Sequence, residues 1–137
     1  MKIKFFRNDV KMPQKSHLPD SGLDVFMPDA FDIQPLETVT MPLGFGVSIP
    51  EGYVGIFIPR SSIAAKGLIC QTSAIDPDYS GELHAIITNC SNTPQHVEVG
   101  QRLISLICLP VMNPFLQIVD ELPNTERNTN GLGSTGK

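Results

Sequence analysis

The chain has 137 residues, ten Lys and Arg against fourteen Asp and Glu, twelve Pro, eleven Gly, three Cys and no Trp. At roughly 150 residues per domain, this is one domain with a modest core. A net charge of −4 with 18% charged residues excludes a broad surface for duplex nucleic acid or an anionic membrane, since both need a surplus of Lys and Arg. The arginines are Arg7, Arg60, Arg102 and Arg127, so any anion is handled by these side chains and by backbone amides. The longest apolar run, Leu103 to Met112, is about half the roughly 20 residues of a bilayer span. The N-terminal residues lack the apolar stretch of a secretory signal, so a cytoplasmic protein is expected.

Pro and Gly recur every few residues and break every window long enough for a regular helix. Between them lie short runs rich in branched and aromatic residues, which read as strands. In chain order these are Ile3 to Phe6, Thr38 to Met41, Phe45 to Ile49, Tyr53 to Ile58, Glu82 to Thr88, His96 to Val99 and Arg102 to Cys108. Turn chemistry marks the joints at Pro50-Glu-Gly52, Asp76-Pro-Asp-Tyr-Ser-Gly81, Asn92-Thr-Pro94 and Pro110. One helical turn or two fits Ser61 to Gly67, with a Ser cap, an Ala-rich interior and a Gly stop. Many short strands at regular spacing predict an all-β sandwich, jelly roll or barrel. From Pro123 to Lys137 the composition turns to Asn, Thr, Gly and Ser, too polar to fold alone, which predicts a β domain over 1–122 and a mobile arm over 123–137. Cys70, Cys90 and Cys108 form no C-x-x-C pair and sit in apolar segments, so reduced, buried thiols are expected.

Four strings carry possible chemistry. Gly131-Leu-Gly-Ser-Thr-Gly-Lys137 matches most of the G-x-x-x-x-G-K-[ST] phosphate loop, but no Ser or Thr follows Lys137 and no strand leads in. Its glycines, Ser134 and Thr135 still allow N–H groups and hydroxyls to converge on an anion, although a floppy tail is the simpler explanation of the string alone. Pro59-Arg-Ser-Ser62 offers a planar guanidinium and adjacent hydroxyls at a possible helix start, or else a solvated turn. Asp76-Pro-Asp-Tyr-Ser-Gly81 alone reads as a hairpin turn, and Asp24 in Asp20-Ser-Gly-Leu-Asp24 as an ordinary turn carboxylate.

Their joint order resembles the trimeric dUTPase family over almost the whole chain. Five family motifs are matched in sequence: Ser21-Gly-Leu-Asp-Val25, Pro59-Arg-Ser-Ser-Ile-Ala-Ala-Lys-Gly67, Ala74-Ile-Asp-Pro-Asp-Tyr-Ser-Gly-Glu82, Gly100-Gln-Arg-Leu103, and Arg127 with Gly131-Leu-Gly-Ser-Thr-Gly136. The segment from Pro42 to Tyr53 also looks like the family's strand pair before the second motif.

The resemblance implies a jelly-roll-like β subunit of a homotrimer, with active sites shared between subunits and a C-terminal arm that closes over the nucleotide. It implies Mg²⁺-dependent hydrolysis of dUTP to dUMP and pyrophosphate. Carried over by position, Asp76 is the general base for water attack on the α-phosphorus. Arg60, Ser61 and Ser62 hold phosphate oxygens, and Asp24 holds Mg²⁺ through water. Tyr79 packs on the deoxyribose and excludes a 2′-hydroxyl. The hairpin from Cys70 to His84 reads uracil, with Ala74, Ile75 and His84 in position to line it. From the arm, Arg127, Leu132, Gly133, Ser134 and Thr135 meet the nucleotide on closure.

The sequence departs from the family pattern in four places. Leu132 stands where the arm carries an aromatic, and Asn128 where a Gly follows the arm Arg. Ile104-Ser105 replaces Ala-Gln in the fourth motif, removing a polar side chain expected near the phosphates. The uracil-contacting Asn falls at Cys70 or Gln71, of which Gln71 keeps the carboxamide. Two rivals remain. A dCTP deaminase-like enzyme needs a Glu where Ile86 stands, and a dUTPase-fold regulatory or partner-binding protein fits the loss at Leu132 and Ser105 but not the kept pair Asp24 and Asp76.

Overall fold

The runs between the Pro and Gly breakers pair as strands. The computed structural model describes residues 1–125. Its elements in order are β1 (Lys2–Phe5), β2 (Leu23–Phe26), β3 (Phe31–Ile33), β4 (Thr38–Pro42), β5 (Phe45–Ser48), β6 (Tyr53–Pro59), α1 (Ser61–Ala64), β7 (Leu68–Cys70), β8 (Ala74–Ile75), β9 (His84–Asn89), β10 (Gln95–Val97) and β11 (Arg102–Pro110). The all-β expectation holds, and each strand read from the sequence has a counterpart shifted by one or two residues at its ends. Four strands lay outside that reading. β3, β7 and β8 have two or three residues, too few to show alternation. In β2, Asp24, Val25 and Phe26 are buried in succession, so no period of two is visible.

The pairings are antiparallel and form a four-stranded sheet, β2-β11-β6-β8, a three-stranded sheet, β4-β9-β7, and two ribbons, β1-β5 and β10-β3. None of these sheets closes into a barrel among the described residues. Val25, Phe57, Leu103, Ile104 and Leu106 from the larger sheet join Leu68, Cys70, Ala85 and Ile87 from the smaller in one buried apolar cluster. This is the arrangement of a β sandwich, in which each sheet covers the apolar face of the other.

Two local features position the candidate site. In β11 the register against β2 slips between Arg102 and Ile104, a bulge that turns both Leu103 and Ile104 into the core and sets Ser105 directly across from Asp24. After β6 the chain makes the single turn of α1, with Arg60 rather than a serine at its N-cap and no side-chain cap bond. The coil ends at Gly67, whose φ of +82° is a conformation that favours glycine and lets the chain enter β7.

The cysteine expectation needs correction. Cys70 is buried and its thiol is pushed up to about 11 by burial, but Cys90 and Cys108 are exposed. Cys90 lies just past the end of β9 and Cys108 in the exposed last third of β11, where the side chains leave the core. All three are free thiols. β11 ends at Pro110, and residues 111–125 contain neither strand nor helix. Among the described residues, no helix is long and apolar enough to cross a membrane.

Candidate active site

The residues singled out by sequence fall into two groups. The first surrounds an open cavity of about 260 Å³ lined by Ala74, Ile75, Asp76, Tyr79, His84 and neighbours including Phe57, Leu83 and Ile86. β8 holds it in place by pairing Ile75 with Gly55 and Ala74 with Ile56 on β6. The loop beyond β8 is a tight turn, with Tyr79 N–H donating to the Asp76 carbonyl at 3.1 Å and the Tyr79 hydroxyl to the Glu82 carbonyl at 2.7 Å. The phenol ring rests on Gly81, where any Cβ would collide with it. Glu82 secures the far end of the loop: its carboxylate accepts from Gly44 N–H at 2.7 Å, and Leu83 N–H bonds to the Phe45 carbonyl at 2.9 Å.

Asp76 and the ring of Tyr79 are thus exposed side chains on a rigid turn at the mouth of a cleft. His84 stands at the start of β9 with Nδ1 3.1 Å from the Glu82 carbonyl. Gln71 is exposed and does not line this cavity; its N–H donates to the Ile86 carbonyl at the end of the smaller sheet. The Cys70 side chain lies in the core.

The second group centres on Asp24, only 8% exposed. Its Oδ2 accepts from the Ser16 hydroxyl at 2.6 Å and from Arg102 Nη1 at 2.9 Å. Its Oδ1 accepts from the Ser105 hydroxyl at 3.0 Å and faces Arg60 Nε at 3.6 Å. Arg60 Nη1 also donates to the Arg102 carbonyl at 3.4 Å. Burial by itself raises the Asp24 pKa, but hydrogen bonds from Ser16 and Ser105 and the positive charge of Arg60 and Arg102 outweigh it and hold the carboxyl below its ordinary value. Two guanidiniums against one carboxylate leave a net positive cluster, beside which Ser61 and Ser62 stand exposed. The first intrahelical bonds run from Ile63 and Ala64 N–H to the Arg60 carbonyl, so the amides of Ser61 and Ser62 precede the ladder. The group is fitted to an anion.

Sequence reading missed Ser16 and saw Ser105 only as a departure. Ser16 sits in a Pro-flanked loop that gives no pattern. The loop is tied to β2 by paired backbone bonds between Gln14 and Asp24, a tertiary contact with no local signal.

Asp76 and Arg60 stand toward opposite ends of β6: Ile75, next to Asp76, pairs with Gly55, five residues before Arg60, or about 17 Å at the rise of a strand. Among the described residues no three His, Cys, Asp or Glu side chains come together to hold a metal. Arg127, Leu132, Gly133, Ser134 and Thr135 lie outside the described residues.

The all-β fold that carries these two groups is shared with known proteins. A family model described as dUTPase matches residues 8–136, and the chain belongs to the dUTPase family. It is 35% identical over 138 residues to the deoxyuridine 5'-triphosphate nucleotidohydrolase of Hydrogenobaculum sp. (strain Y04AAS1), covering 98% of this chain and 96% of that one. It is 33% identical over 130 residues to the protein of the same name from Leifsonia xyli subsp. xyli, covering 92% and 86%. Among solved structures, a point mutant of the Staphylococcus bacteriophage 80alpha dUTPase with dUpNHpp superposes with a TM-score of 0.93 at 27% identity, over 99% of this chain and 98% of the other. A point mutant of the dUTPase from phage phi11 of S. aureus, described as coordinating a structural Mg(II) ion, matches with a TM-score of 0.85 at 25% identity, over 90% and 98%.

Proposed function

We propose that the protein hydrolyses dUTP to dUMP and pyrophosphate in sites shared between subunits of a homotrimer. The observation that carries the reading is the pairing, on a dUTPase-family fold, of a turn that presents Asp76 and Tyr79 with an arginine–serine anion cluster. Asp76 and Arg60 stand toward opposite ends of β6, which supports a site built from two copies. Residues 111–122 add support, since Met112, Phe115, Leu116, Ile118 and Leu122 are at least 82% exposed and need a neighbour to cover them.

In this reading uracil enters the cleft along Ala74 and Ile75, where backbone groups face it, and His84 borders it. The Tyr79 ring packs on the deoxyribose, held flat by Gly81 and the bond to Glu82. A pocket this narrow discriminates by clash and by leaving polar groups of the wrong base unpaired. Asp76 accepts a proton from a water aligned for in-line attack on the α-phosphorus. Arg60 and the hydroxyls and amides of Ser61 and Ser62, from the neighbouring copy, hold the phosphates. Gln71 is exposed and does not line the cleft within its own chain. The arm residues Arg127, Leu132, Gly133, Ser134 and Thr135 close over the phosphates.

Mg²⁺ fits this site in one way. Both Asp24 oxygens are already engaged, so Asp24 is not free to be a direct ligand. An ion carried by the triphosphate itself would meet Asp24 through water. When bound, such an ion neutralises phosphate charge in the transition state. The reading places the enzyme in the cytoplasm, with a nucleotide and its own copies as partners and no nucleic acid or membrane. Incubation with dUTP and Mg²⁺ should release pyrophosphate, and Asp76→Asn should bind dUTP without turning it over. A wild-type protein that binds dUTP and releases no pyrophosphate would instead mark a regulatory binding module, and release of ammonia from dCTP a deaminase.

A further inference from the structure

We propose that Ser105 is a positioning residue that keeps Arg60 free for the substrate by occupying the Asp24 carboxylate. The inference rests on the dUTPase reading for its substrate, but its geometry stands on this chain alone. The β11 bulge places Ser105 opposite Asp24 on β2 and, on its other side, opposite Ile58 on β6, two residues before Arg60. The serine is therefore at the centre of a three-strand row whose outer members carry the carboxylate and lead to the guanidinium.

Asp24 Oδ1 has two suitors. The Ser105 hydroxyl holds it at 3.0 Å, a full hydrogen bond, while Arg60 Nε stands off at 3.6 Å, attracted but not bonded. Oδ2 is taken by Ser16 and Arg102. With its four sites filled or faced, the carboxylate orients Arg60 by charge without drawing it into the bidentate pair that arginine and carboxylate otherwise form. Arg60 is thereby left with N–H groups to give to phosphate oxygens. A neutral serine suits this better than a long amide, since it reaches Asp24 and stops there.

Removing the hydroxyl frees Oδ1. Arg60 then closes onto Asp24 and is withdrawn from the substrate. In Ser105→Ala the KM for dUTP should rise about five- to tenfold with kcat changed less than about twofold, because a binding contact is lost and the Asp76 chemistry is not. Ser105→Thr, which keeps the hydroxyl, should restore the wild-type KM. In an Arg60→Ala background, Ser105→Ala should add nothing, since the effect runs through Arg60. A crystal structure of Ser105→Ala should show Arg60 Nε within hydrogen-bond distance of Asp24 in place of 3.6 Å.

An unchanged KM, an equal rise in the Arg60→Ala background, failure of Thr to rescue, or an unmoved Arg60 each overturns the proposal. A wild-type protein inactive on dUTP would sink the substrate reading instead, and the crystal structure of the variant would still decide the positioning.

Discussion

Asp24→Asn removes the negative charge between two guanidiniums while keeping the shape of the side chain. The carboxylate accepts three hydrogen bonds, from Ser16, Ser105 and Arg102, and faces Arg60 at 3.6 Å. An amide keeps one acceptor oxygen but aims its NH₂ either at Ser16 and Arg102 or at Ser105 and Arg60, in both cases toward a guanidinium that can only donate. Breaking a buried pair by removing one partner costs about 3–5 kcal/mol. Arg60 and Arg102 are 31% and 38% exposed and partly screened by water, which brings the expected loss to about 2–3 kcal/mol.

The loss depends on pH with a definite sign. The folded pKa of Asp24 is depressed, so its contribution is complete above the unfolded value of about 3.9 and disappears as pH falls through the lower folded value. Urea unfolding of both proteins, at one protein concentration and without Mg²⁺, should show the full gap at pH 7 and a smaller one near pH 3. A gap below about 0.5 kcal/mol at pH 7 would mean that the arginines do not depend on this charge. An undiminished gap at pH 3 would assign the cost to shape and not to charge.

Three further outcomes follow from the fold. Asn89 is fully buried, donates to the Ile33 and Thr93 carbonyls and accepts from the Ser91 N–H and hydroxyl, so Asn89→Ala should lower stability by about 2–4 kcal/mol in denaturant unfolding. Leu36 carries a φ of 64° in the turn between β3 and β4 with its side chain 81% exposed, so Leu36→Asn should raise stability by about 0.5–1 kcal/mol, read as a higher Tm. The His96 pKa is raised, first by its hydrogen bond to Asp32 at 2.6 Å and then by the charges of Asp32 and Glu98. Its contribution is therefore complete below about 6.5 and lost as pH rises through the folded value, and His96→Asn should lower Tm more at pH 6 than at pH 9.

The strands that alternate or run long, β6, β9 and β11, were legible because burial on one face imprints a pattern on the residues. β2 was hidden because Asp24 interrupts it with a charge whose justification, Ser16 and Arg102, comes from loops and strands far along the chain. The short β3, β7 and β8 exist only by pairing with other strands, which no local window contains. At the site, Arg60, Asp76 and Tyr79 could be picked out because their motifs are contiguous. That Asp24 acts toward Arg60 and Arg102, and that Ser105 is its partner, depends on a one-residue bulge that leaves no mark on composition. The exposed thiols of Cys90 and Cys108 show the same limit, since an apolar segment does not say which residues of its end leave the core.

The shared site is tested most directly by mixing two inactive parents, Asp76→Asn and Arg60→Glu, the latter with a reversed charge that repels the triphosphate, refolded together so that their subunits assemble at random. If each site takes its general base from one copy and its arginine from another, equal mixing should restore about a quarter of the wild-type pyrophosphate release, since one random pairing in four has both residues intact. If each chain carries a complete site, every site in the mixture retains one lesion and no activity returns.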